Sequence, residues 1–419
     1  MATGTYFKNP THRILMLFCA CVFATFCLPI NPAISQDIAT APTSPAADTD
    51  AEEKKQVIVS DANEAKRGTA ESKPAPKYEF TIEHSIQHTD VKTQDHTGTC
   101  WSFATASFIE SELIRRGKGR HDLSEMFIVK NVYRRKVENY VLRKGEANFS
   151  QGAMGHDFLA SAQRDGLVPE RIFDGRKSVE LKHDHSELEA VMRGFLDAVV
   201  KRSKLTPKWK PASNRILDVY LGRAPKRFTY RDRSYSPLEF SKSLEFRADD
   251  YVSITSFNHH PFYEDFVLEV PDNFSSGSFY NLPINDLTSI IDHAIKNGFS
   301  VIWDGDVSEE GFSSSEGIAV LPEIPSRSDL FTRPGKEIKA SQGSRQSALM
   351  TLQTTEDHLM HLVGISRDTA GNKYYVIKNS WGQIGEHKGL IHMSRAYVKA
   401  KTVAIVVHKD ALPARLKRK

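Results

Sequence analysis

The sequence predicts an α+β fold, with helices first and strands last. From Cys100 to about residue 245 apolar residues recur at helical spacing, beginning with Phe103, Ala106, Ile109 and Leu113. From about residue 250 short runs rich in Val, Ile, Tyr and Phe take over. No internal repeat is visible, so the two textures are parts of one domain rather than an array.

The chain has 419 residues, of which 40% are apolar and 26% charged, enough for a sizeable core. A net charge of +4 gives no reason to expect a nucleic-acid partner, and the basic tail Arg415–Lys419 reads as a solvated end. Lys8, His12 and Arg13 precede an apolar run from Ile14 to Ile30, and Ala33 and Ser35 offer small residues for cleavage. Residues 1–35 therefore read as a signal peptide, or as an N-terminal anchor where uncleaved. The expected location is exported, periplasmic or secreted, with no stable membrane partner unless that segment is retained. Residues 36–77 hold almost no large apolar residue and read as a disordered linker. Residues 78–419 are left as the folded domain.

Within that domain, Tyr78–Ile82 alternates as a short strand. The helix that starts at Cys100 runs to Gly117. Ser124 is a suitable N-cap for a second helix, and a third spans Phe158–Gln163 and closes at Gly166. Leu188–Val200 and Ile216–Leu221 continue the helical pattern through a highly charged stretch. Tyr251–Thr255, Phe266–Val270 and Ser300–Trp303 read as strands, with a helix over Leu287–Lys296. Residues 305–345 read as loop. Leu362–Ile365, Tyr374–Lys378, Leu390–Met393 and Val403–Val407 complete the strand-rich end.

The chemistry centres on Cys100. Cys19, Cys21 and Cys27 lie in the apolar leader, so its removal leaves one thiol, which cannot form an intramolecular disulfide. A buried structural cysteine is the plain alternative. At a helix N-terminus, however, unpaired N–H groups and the helix dipole favour the thiolate, the nucleophilic form. Such a nucleophile needs a base and a group that orients it. His358 and Asn379 lie 21 residues apart (379 − 358), which suits adjacent strands. The Asn379 amide oxygen would hold one imidazole nitrogen while the other faces Cys100. Gln94, with the Cys100 backbone N–H, would receive a developing oxyanion.

Val91-Lys-Thr-Gln94, Cys100-Trp-Ser-Phe103, Asp357-His358 and Ile377-Lys-Asn-Ser-Trp-Gly382, in this order, resemble the motifs of papain-like cysteine peptidases. The resemblance implies a two-lobe fold, with a helical N-terminal lobe carrying the cysteine helix and an antiparallel β C-terminal lobe. It implies Cys100 as nucleophile, His358 as general acid/base, Asn379 as orienter and Gln94 as oxyanion donor, with Trp381 shielding the His358–Asn379 contact. Cys100 and His358 lie 258 residues apart (358 − 100), which implies a large insertion between them. The middle of the chain is similar to the bleomycin hydrolase and aminopeptidase C branch, at Tyr220-Leu-Gly222, Ser236-Pro-Leu-Glu-Phe240, Asp249-Asp-Tyr251, Tyr280-Asn281 and Val301–Asp306. Thr97, where papain has a disulfide cysteine, suits that branch. Gln151-Gly152 replaces a Gly pair, which carries over Gly152 alone as a backbone contact to substrate. The terminal arm that closes the cleft in bleomycin hydrolases has no counterpart here. The expectation is an open cleft with endopeptidase action, or exopeptidase action limited by other loops. The relatives' hexameric ring makes a homo-oligomer the expected partner besides a peptide or protein substrate.

No metal or cofactor is expected. His358 and His361 point to opposite faces of a strand and make a poor metal pair. His259-His260 and His183-Asp-His185 read as solvated loop residues, and Asp304 with Asp306 reads as a carboxylate pair lacking a partner motif. Three function classes follow: a cysteine peptidase, a catalytically silent peptide-binding protein on the same fold, and another acyl-transfer enzyme of transglutaminase or amidase type.

Overall fold

The computed structural model describes residues 77–176 and 181–417. The signal peptide and all but the last residue of the linker lie outside them. The chain divides into two units, Met1–Thr69 and Ala70–Lys419, and the described residues belong to the second.

The folded chain opens with β1 (Phe80–Ser85), followed by α1 (Cys100–Arg115), α2 (Glu125–Leu142) and α3 (Gly155–Asp165). Next come α4 (Ser186–Val200), α5 (Trp209–Leu221), a hairpin of β2 (Phe228–Tyr230) and β3 (Arg233–Tyr235), and α6 (Pro237–Ser243). Then follow β4 (Tyr251–Thr255), β5 (Asp265–Val267), β6 (Ser278–Asn281), α7 (Ile284–Lys296), β7 (Val301–Gly305), β8 (Phe312–Ser313), β9 (Ile318–Ala319) and α8 (Gln342–Met350). The chain ends in β10 (His358–Asp368), β11 (Lys373–Lys378), β12 (Leu390–Ser394), α9 (Arg395–Lys401) and β13 (Thr402–His408).

Local chemistry accounts for the helix ends. Ser124 Oγ accepts from the Phe127 N–H at 3.0 Å and caps α2. Gly166, at φ +88°, ends α3 in a conformation that only glycine adopts freely. The 305–345 stretch carries more order than expected, because β8 and β9 add to the sheet edge beside β12.

Eleven strands form one sheet, in the order β5-β6-β4-β13-β7-β10-β11-β12-β9-β8, with β1 paired to β10 beyond the end of β7. The pairs are antiparallel except β4–β6 and β12–β9. Helical residues such as Trp101, Phe108, Ile128 and Phe158 pack on one face, where Ile302, Leu359 and Val406 meet them. Leu287, Ile290 and Ile291 of α7 cover the other face against Trp303, Met360, Ile365 and Ile405. Adjacent residues Leu359 and Met360 thus enter different cores, as the two-residue period of a strand requires. This is the expected α+β arrangement. Among the described residues no helix is long and apolar enough to cross a membrane.

Gly305 sits where three strands meet, opposite His358 on β10 and Thr402 on β13. A Cβ there would lie 2.3 Å from the Lys401 carbonyl oxygen and 2.5 Å from the Trp303 ring. Gly305→Ala should therefore destabilise the fold by about 1–3 kcal/mol, the usual range for overpacking. Urea unfolding should show a lower midpoint at unchanged slope; an unaltered midpoint would contradict this packing.

Candidate active site

Cys100 is the first residue of α1 and the one cysteine among the described residues. The loop before it is pinned from several sides. The Gly98 N–H donates to Gln151 Oε1 at 2.8 Å, and Trp101 Nε1 donates to the Gln151 carbonyl at 3.0 Å. The far end of Gln151 donates to Glu189 on α4 at 2.9 Å. The Leu359 N–H donates to the Cys100 sulfur, so the residue after His358 touches the thiol directly. Helix and strand thereby bring together residues that the sequence places 259 positions apart (359 − 100).

His358 opens β10 and is buried. Its Nε2 lies 2.7 Å from Asn379 Oδ1. The Ser380 N–H donates to the same Oδ1 at 2.7 Å, which identifies that atom as the amide oxygen. His358 Nε2 must therefore carry the proton, leaving Nδ1 with the free lone pair. Asn379 is oriented in turn by Nδ2 donating to Ser314 Oγ at 3.1 Å. The Trp381 ring lies over His358, with centroids 4.7 Å apart and planes tilted by 32°.

Gln94 is buried, and both ends of its amide are held. Its Nε2 donates to the Thr97 carbonyl at 2.6 Å, and its Oε1 accepts from Ser380 Oγ at 2.7 Å. One Nε2 hydrogen remains beyond the Thr97 bond. Gly152 is covered: a Cβ there would fall 1.6 Å from Asp272 Oδ2. The 268–277 segment carries Asp272 and is tied down along its length. Asn139 donates to the Phe274 carbonyl at 3.3 Å, Asn148 to the Pro271 carbonyl at 3.2 Å, and Ser150 to Asp272 Oδ1 at 3.2 Å. His156 Nε2 meets Ser275 Oγ at 3.0 Å. The 268–277 segment thus forms a strap that covers Gly152, where the sequence predicts a backbone contact to substrate.

The electrostatics run against the expectation of a thiolate. Burial pushes the Cys100 thiol up to about 12, and Asp304, Glu356 and Asp272 push the same way against the Leu359 N–H. Burial also lowers His358 to about 4, opposed by its bond to Asn379. Burial thus favours the neutral thiol and the neutral imidazole, against the pull of the helix end toward the thiolate. Cys100 is 8% exposed, and at that burial desolvation outweighs the dipole.

The other candidates separate. His361 is fully buried behind the site, where Lys378 Nζ donates to Ser107 Oγ at 2.8 Å and Ser107 meets His361 Nδ1 at 2.8 Å. This network binds α1 to β10 and β11. His183 and His185 are buried, not solvated, and His185 Nδ1 lies 3.1 Å from the Tyr133 hydroxyl. Asp304 and Asp306 do not act as a pair: Asp306 is held by Lys401 and Ser308, whereas both Asp304 oxygens are buried without partners. His259 and His260 converge on Glu269 at the surface, and among the described residues these three are close enough to share an ion. Glu269 and Asp272 escaped sequence reasoning, since neither belongs to a motif.

The Peptidase C1-like family model matches residues 176–419. Aminopeptidase E of Lactobacillus helveticus is 24% identical, over 77% of this chain and 82% of that protein. Aminopeptidase W of Lactobacillus delbrueckii subsp. lactis is 22% identical, over 88% and 92% respectively. Bleomycin hydrolase of Homo sapiens is 25% identical, over 60% and 61%. The crystal structure of PepW from Lactobacillus rhamnosis superposes with a TM-score of 0.63 at 22% identity, covering 80% of this chain and 83% of that one. The likeness extends the agreement to the fold, which is papain-like.

A neutral resting thiol predicts slow alkylation. Iodoacetamide labelling of Cys100, followed by mass spectrometry, should accelerate by roughly tenfold per pH unit from pH 6 to 9 as the thiolate fraction grows. A rate already fast and flat across that range would mean a preformed thiolate–imidazolium pair.

Proposed function

The chain belongs to the Peptidase C1-like family and is a cysteine peptidase; on that premise we propose that it removes residues from free peptide N-termini through Cys100, His358 and Asn379. The observation that carries the catalytic part is the 2.7 Å His358–Asn379 bond beside a sulfur held by the next residue of the same strand. In this reading His358 Nδ1 takes the thiol proton as Cys100 Sγ attacks the scissile carbonyl. The oxyanion is received by the Cys100 backbone N–H and the remaining Gln94 Nε2 hydrogen. His358 then protonates the leaving amine, which departs and leaves a thioester on Cys100. Water, deprotonated by His358, hydrolyses the thioester and restores the thiol.

Asn379 fixes the imidazole tautomer, and Trp381 keeps water from the His358–Asn379 bond. Support for action at chain ends comes from the 268–277 strap. With Asp272 seated on Gly152, a peptide extending past that glycine would collide with the carboxylate. Gly152 would then serve only the first residue of a substrate. Export is part of the same proposal and rests on the basic residues ahead of the apolar run Ile14–Ile30.

Cys100→Ala should abolish hydrolysis. The wild-type enzyme, given a ten-residue free-amine peptide, should give a mass ladder that shortens from the N-terminus; cleavage at internal bonds first would reject the exopeptidase reading. Export predicts that protein recovered from the periplasm or medium begins near Gln36, and recovery solely with residues 1–35 attached in the cytoplasm would refute it.

A further inference from the structure

Beside the sulfur lies a cluster of carboxyl groups that the catalytic steps leave unused. Asp304 stands opposite Leu359 on the neighbouring strand, and Leu359 is the residue that contacts Cys100. Cross-strand partners share a face, so Asp304 points with Leu359 toward the helical layer. Its side chain is 2% exposed, and neither oxygen has a hydrogen-bond partner. An isolated buried carboxyl is costly and calls for an explanation, since such groups are normally satisfied.

Two further carboxyls lie within electrostatic reach of it. Glu356 accepts from the Asp272 backbone N–H, and Asp272 reaches Ser150 from the strap. All three acids act on the Cys100 thiol, and Asp304 and Asp272 both act on Glu356. The nearby cation is Lys136, fully buried on α2. It is held by the Gly152 carbonyl and Ser150 Oγ, and it faces Asp272, Asp157, Glu189 and Glu356. That leaves Asp304 unmatched. Burial and the neighbouring acids hold its carboxyl well above the usual carboxylate range, so it keeps its proton while alone.

We propose that Asp304, Glu356 and Asp272 form a receptor for a primary ammonium group of the substrate, with the unpartnered Asp304 as its floor. This rests on the peptidase reading above and names what the closed side of the cleft recognises. An arriving ammonium donates its N–H groups to Asp304, which releases its proton to solvent and becomes the carboxylate partner. The chemistry is shared by two sources, the α-ammonium of a peptide N-terminus and the ε-ammonium of a lysine side chain.

The test uses aminoacyl arylamides on the full-length enzyme and on Asp304→Asn, an isosteric change that removes the capacity to become a carboxylate. One pair compares norleucyl arylamide with its Nα-acetyl form; a second compares Nα-acetyl-lysyl with Nα-acetyl-norleucyl arylamide. Asp304→Asn should lower the charged-to-uncharged ratio of kcat/KM by roughly ten- to a hundredfold, the scale of a charge-assisted hydrogen bond. The ratio cancels any effect of the substitution on the thiol itself. Collapse in the first pair assigns the site to the chain end, and collapse in the second to the lysine side chain. An unchanged ratio in both pairs overturns the receptor, as does equal loss on all four substrates. Glu356→Gln gives an independent second variant should Asp304→Asn fold poorly. Labelling by an epoxide-type thiol inhibitor keeps the two readings apart. Cys100 modified, with activity lost and the ratios unchanged, leaves the peptidase site intact and removes the receptor alone; an unmodified Cys100 removes the site on which the receptor depends.

Discussion

The pairing of β10 along both its edges is the constraint on which the site depends. On one edge β7 sets His358 opposite Gly305 and Leu359 opposite Asp304; on the other, β11 runs into the loop that carries Asn379. A shift of one residue would send His358 to the wrong face and turn Leu359 away from the sulfur. Gly305 lets the strands close at this point because no side chain stands between β7 and the Lys401 carbonyl. The geometry of the site is therefore a consequence of strand register, and α1 has only to bring its first residue to a place already defined.

Placing the thiol at that junction has an electrostatic cost. A helix N-terminus stabilises a neighbouring anion by about 0.3–1 kcal/mol at exposed positions. One unit of pKa corresponds to about 1.4 kcal/mol. The displacement of Cys100 to about 12 is larger than the helix end can oppose, and burial supplies most of it. His358 is affected in the same sense: a buried imidazole favours its neutral form, and Asn379, being uncharged, cannot reverse that. The ion pair is thus disfavoured twice, once on each partner.

Much of this was legible in the chain. Helical spacing after Cys100, Ser124 as a cap and the alternating runs near residues 251, 374 and 403 correspond to α1, α2, β4, β11 and β13 because each is a local pattern. His358, Asn379 and Trp381 could be named because they sit in short motifs, and the structure brings them together. What escaped depends on long-range packing. The strap over Gly152 is a loop whose anchors Asn139, Asn148, Ser150 and His156 lie more than a hundred residues earlier. His183 and His185 read as solvated because the charged stretch around them hides that they turn inward, His185 against Tyr133 and His183 against Phe103. Asp304 and Asp306 looked equivalent two residues apart. The first lies in β7 beneath the helical layer, while the second has left the strand and found Lys401.

The acids around the sulfur link recognition to reactivity. Asp304, Glu356 and Asp272 oppose the thiolate when ionised, and a cation paired with them cancels that opposition by the same Coulomb law. Linkage is reciprocal: whatever eases formation of the thiolate when the cation binds also tightens cation binding when the thiolate forms. Such an interaction is stronger as negative charge develops in the reaction than in the resting complex, and differential binding of that kind accelerates the chemical step. A blocked chain end would forgo this gain even if it fitted the cleft. With the proposed receptor occupied, the raised thiol would act as a form of selectivity, because Cys100 would ionise more readily beside a paired ammonium than beside the acids alone.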